Sequence, residues 1–151
     1  MESTSALLQS ALTPAFLLVA LGSMLGLFTG RLSRIVDRSR DLQDIYSQTK
    51  GREHDRLVAE LRDLEKRIHI VNRAIACGVL SAITVSLLIG ILFIIEFTGL
   101  QLGRYAVSAF MIAIGLMAGA LILFMAEVRF AIRNVRISEE FLELPHGSKK
   151  Q

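Results

Sequence analysis

The stretch Ala74 to Ile95 contains 22 residues without a charge, closed off by Arg73 on one side and Glu96 on the other. At about 1.5 Å per residue, a helix of this length is long enough to cross a bilayer. Within it a small residue recurs at every fourth position, Ala74, Gly78, Ala82, Ser86 and Gly90. Such a row offers a face along which another backbone can approach closely. The stretch therefore reads as a packed transmembrane helix.

Two further blocks have the same character. Residues 105–126 form a second run of 22 uncharged positions between Arg104 and Glu127, and residues 3–30 carry no charge. A chain that is 52% hydrophobic, with no Trp and two Pro, is unusual for a soluble domain. Three membrane spans is the economical count. The expected fold is an all-α membrane protein: an outer N-terminal segment 1–13, transmembrane helix 14–30, a cytoplasmic antiparallel helical hairpin 31–73, transmembrane helix 74–96, an outer loop 97–103, transmembrane helix 104–126 and a cytoplasmic helical tail 127–151.

The net charge of +3 raises the question of nucleic acid, and the placement of the charges answers it. Of 17 Lys and Arg, eleven lie between Arg31 and Arg73 and five follow Glu127; the last is Arg104. Alternating spans put the two basic segments on one side, and the bias of basic loops toward the cytoplasm makes that side the inside. The N-terminus is then outside and the C-terminus cytoplasmic, with no nucleic-acid partner. The first basic residue, Arg31, follows the first apolar run, so this run reads as an uncleaved anchor. Cys77 has no partner in the chain and reads as a small packing residue.

Thr13 and Pro14 suit a cap and first turn for span 1. Gly22, Gly26 and Gly30 give that span its own row of small residues. Beyond Gly30, Phe28, Leu32, Ile35, Ser39, Leu42 and Tyr46 alternate at spacings of four and three, the seam of a coiled coil. A break at Ser47 to Arg52, with Gly51 as the turn residue, precedes a second seam of Leu57, Leu61, Leu64, Ile68, Val71 and Ile75. Folded back, the seams pair Tyr46 with Leu57 and Leu42 with Leu61. The charges outside the seams, with Asp63 and Arg67 or Arg56 and Glu60 at i,i+4 spacing, are assigned to solvation. Arg31, Arg34 and Arg38 share one side near the membrane, where lipid heads are the expected contact at roughly 1 kcal/mol each. Gly99 and Gly103 allow the outer turn, and span 3 carries Gly115 and Gly119.

At Leu12-Thr13-Pro14, and more specifically at Arg31-Leu32-Ser33-Arg34-Ile35-Val36-Asp37-Arg38-Ser39-Arg40, the chain resembles a family of small bacterial membrane proteins of unknown function. The resemblance implies a location in the bacterial inner membrane and no particular activity. A second resemblance, in the order of spans and cytoplasmic helices, is to the ExbB, TolQ and MotA proton-channel subunits. This sequence departs from that group in having no carboxylate in the middle of span 3.

No convergent set of polar groups suggests an enzyme, a cofactor or a metal: His54, His69 and His146 lie apart without ligand spacing. Glu96 and Glu127 read as span-end residues reached by water. Two functions of different classes follow. The chain is either a homo-oligomer enclosing an ion pathway, with Ser81, Thr84, Ser86 and Ser108 as candidate pore-lining hydroxyls, or a structural scaffold that binds a protein partner through its hairpin. Three spans are too few for a pore within one chain, so conduction requires self-association through Gly22, Gly26, Gly30, Gly78, Ala82, Gly90, Gly115 and Gly119.

Overall fold

The computed structural model describes the backbone of residues 2–134 and the side-chain surroundings of residues 9 and 11–132. Three helices make up this part of the chain: α1 (Glu2–Tyr46), α2 (Arg52–Thr98) and α3 (Gly103–Asn134). At 45, 47 and 32 residues they measure about 68, 70 and 48 Å, well beyond a hydrocarbon core of roughly 30 Å. The expected tail beyond residue 134, with Arg136, Pro145 and His146, lies outside the described residues.

The helix expected to begin at Pro14 begins twelve residues earlier. α1 runs unbroken from Glu2 with Pro14 inside it. Proline costs the helix one N–H donor and some steric strain, but in apolar surroundings a helix is the way to satisfy the remaining backbone groups. The two connections are tight and each depends on one glycine. Gly51, at φ 66°, precedes α2 and accepts a hydrogen bond from the Asp55 N–H at 3.2 Å. Gly99, at φ 66° and ψ 14°, ends α2 in the left-handed conformation and donates its N–H to Ile95 O. Only glycine enters that region without a steric penalty.

One seven-residue period organises the packing. Among the described residues the buried positions of α1 are Pro14, Leu21, Phe28, Ile35 and Leu42; α2 buries one stripe of Leu57, Leu64, Val71, Gly78 and Val85 and a second of Ala74, Ser81 and Leu88; α3 buries Ala106, Ala113, Ala120 and Glu127, with Ala131 beside them. A strict spacing of seven keeps one stripe facing the neighbours when helices coil gently to the left. The stripes meet in three clusters. Leu21, Val85 and Ala113 form one, and Phe28, Ala74 and Ala120 the next. The third, Ile35, Leu42, Leu64 and Val71, joins α1 and α2 alone. The order of contacts makes the pair antiparallel: Phe28 packs with Ala74, Arg38 bonds Glu60, and Tyr46 lies against the His54 ring at 4.6 Å. Tyr46 thus has His54 as its ring neighbour, one turn before the expected Leu57.

Small residues spaced by four behave differently. At 3.6 residues per turn, each step of four rotates the row by about 40°. Ala74 and Gly78 are accordingly buried, Ala82 is half-buried, and Ser86 and Gly90 are exposed. Most apolar side chains also face outward. No more than 22% of the most apolar window of any helix is buried, and Phe16, Leu87, Val107 and Ile122 stand on the outside. A continuous apolar exterior of this extent suits lipid rather than water. All three helices are long and apolar enough to cross a membrane.

Candidate functional site: a buried arginine–glutamate–arginine triad

Ala106, Ala113 and Ala120 bring α3 close to its neighbours, and the next residue at that spacing is Glu127. Its exposure is 0%. Isolating a carboxylate this way costs several kcal/mol, so a buried charge requires partners. Two helices supply them. Arg31 of α1 donates its Nε–H to Oε2 at 2.6 Å, and Arg67 of α2 donates its Nε–H to Oε1 at 2.9 Å. Both carboxylate oxygens are engaged and all three helices are tied at one point. The arginine side chains remain partly accessible, at 31% and 22%, while the carboxylate is sealed.

One helical turn away α1 and α3 are also joined by aromatic packing. Phe28 stacks on Phe124 with centroids 4.4 Å apart and planes inclined by 21°. The Arg31 guanidinium carbon lies 5.8 Å from the Phe124 centroid, within cation–π range. Aromatic stacking thus closes the membrane side of the triad while the arginines hold the other.

This arrangement corrects the reading of Glu127 as a span-end residue reached by water. It also reassigns Arg67 and Glu60: Arg67 goes to Glu127, and Glu60 accepts Nε–H and Nη2–H from Arg38 of the other helix at 3.1 and 2.9 Å. These partners lie on a neighbouring helix, whereas local i,i+4 pairs are worth only a few tenths of a kcal/mol. Glu96, in contrast, is exposed.

The remaining candidates are placed as follows. Ser81 is fully buried and donates to Ala113 O of α3 at 2.7 Å. Thr84, Ser86 and Ser108 donate to the carbonyls of Leu80, Ala82 and Arg104, each four residues back in its own helix. Gly78 lies against α1, where an added Cβ would sit 2.9 Å from Leu25 Cδ2. Gly22, Gly26, Gly30, Gly90, Gly115 and Gly119 have nothing within 4 Å of that position. Arg34 is exposed and, with Arg31, Arg38 and Arg67, lines an open cleft over Ile35 and Leu64. Among the described residues no three His, Cys, Asp or Glu gather in a way that could hold a metal.

Three long apolar helices tied by a buried charge triad define the class, a helical membrane bundle. Within that class the chain belongs to the family described as Protein of unknown function (DUF2721), whose profile matches residues 11–137. The match takes in the triad, the basic segment 31–40 and both turns. No curated protein and no solved structure matches the chain. These comparisons do not show the likeness to the proton-channel subunits.

Proposed function

We propose that the protein is a homo-oligomeric scaffold of the bacterial inner membrane that presents a cytoplasmic helical hairpin to a protein partner. The observation that carries this reading is the triad: Glu127 ties the base of the α1–α2 projection to α3. α1 and α2 run without interruption from the apolar segments into the projection, so its tip is held at a fixed place relative to the membrane. Sixteen of the 17 basic residues fall in the segments 31–73 and 127–151 of the sequence, which orients the hairpin to the cytoplasm with the N-terminus outside. Glycines open to the exterior supply the faces for self-association.

Ion conduction is the second reading, favoured by the exposed positions of Ser86 and Ser108 on the bundle's exterior, where hydroxyls of neighbouring copies would meet around an axis. The two are separated by reconstituting the chain in liposomes, with native mass spectrometry to establish the subunit count. The scaffold reading expects an oligomer with ion flux equal to that of protein-free liposomes. Flux above that level, lowered by Ser86→Leu without loss of the oligomer, establishes the channel instead.

A further inference from the structure

We infer that the cleft lined by Arg31, Arg34, Arg38 and Arg67 binds the phosphate of an anionic phospholipid headgroup, with Glu127 as the built-in counter-charge that sets two of the arginines. This is independent of the scaffold reading. Four arginines from two helices line an open cleft of about 320 Å³. Among the described residues, Glu127 bonds Arg31 and Arg67, Glu60 bonds Arg38, and Arg34 has no hydrogen bond or ion pair.

Donor geometry points the same way. Arg31 and Arg67 each use Nε for Glu127, leaving their terminal nitrogens without a partner among the described residues. Fixing Nε removes much of the side chain's freedom, so less entropy is lost when the terminal donors meet an anion, and guanidinium donors match phosphate oxygens in pairs. Position selects a lipid over free phosphate. Arg31 directly follows the uncharged run 3–30, and Arg31 to Arg38 cover about 10 Å of helix axis. The headgroup layer of each leaflet is roughly 5 to 8 Å deep. The cleft therefore begins at the depth of the lipid phosphates, and Ile35 and Leu64 line it with apolar surface.

The test uses the full chain in mild detergent, with retained ligands counted by native mass spectrometry for phosphatidylglycerol, phosphatidylcholine and inorganic phosphate. Arg34→Gln removes an arginine that holds no other element in place, and Arg62→Gln removes an equal charge from the exposed face outside the cleft. The expected result is preferential retention of phosphatidylglycerol, lowered about fivefold by Arg34→Gln and unchanged by Arg62→Gln. Equal retention of the two lipids overturns the inference, as does equal loss in the two variants, which means diffuse attraction. Retention of inorganic phosphate as strong as that of phosphatidylglycerol overturns the lipid assignment.

Discussion

Replacing Glu127 by Gln keeps the shape of the side chain and removes its charge. In the native protein each carboxylate oxygen takes one arginine N–H. The amide that replaces them has one acceptor, so one bond survives as a neutral-acceptor bond, and an NH2 group faces the second guanidinium, donor against donor. Charge-assisted bonds contribute about 1.5–3 kcal/mol and weaker ones about 0.5–1.5 kcal/mol. Weakening one and losing the other totals on the order of 3 kcal/mol. A fully buried ion pair that loses a partner costs about 3–5 kcal/mol, and the lower end applies because Arg31 and Arg67 are 31% and 22% exposed and can turn toward water. For a chain of this size the loss lowers Tm by about 6–12 °C. Circular dichroism melts in mild detergent measure it, with the exposed Glu96→Gln as a control expected within about 0.5 kcal/mol of wild type. Replacing Glu127, Arg31 and Arg67 together by Met should recover most of the stability, since buried ionic triads are often no more stable than apolar substitutes. Equal melting of Glu127→Gln and Glu96→Gln would refute the reasoning.

Gly78→Leu should destabilise the protein by about 1–3 kcal/mol or more through overpacking against Leu25, while Gly26→Leu, with open space around it, should leave the melt unchanged and reduce the oligomer seen by native mass spectrometry. Ser81→Ala removes the hydroxyl bond from α2 to Ala113 O and should lower stability by about 1 kcal/mol in the same melt. In a Cys77→Ser background, an impermeant thiol reagent should label Gln101→Cys and spare Gln48→Cys in intact spheroplasts; the reverse pattern would invert the topology.

The helices and turns were legible because each depends on local chemistry. Charge-free runs gave the spans, Gly51 and Gly99 marked positions of positive φ, and the seam Ile35, Leu42, Leu64 and Val71 was visible as spacing. A proline suits a first turn, yet in an apolar chain the helix continues through Pro14. The triad was not legible, since its bonds join residues 96 and 60 positions apart and no local pattern ties Arg31 or Arg67 to Glu127. A signal did exist in the row Ala106, Ala113, Ala120: continued by seven, it lands on Glu127 and puts a carboxylate in a packing stripe. The four-residue small-residue rows follow a different stripe and meet the seven-residue one at Gly78.

The claim that the three helices converge on one buried carboxylate is tested most directly by solid-state NMR in lipid bilayers, measuring dipolar coupling between 15N-labelled arginine side chains and the 13C-labelled carboxyl of Glu127. The expected result is strong dephasing of the Glu127 carboxyl by two Nε nitrogens, reduced by Arg31→Lys and again by Arg67→Lys, each of which removes one Nε. A Glu127 carboxyl that shows no coupling to arginine nitrogen in wild-type protein would contradict it.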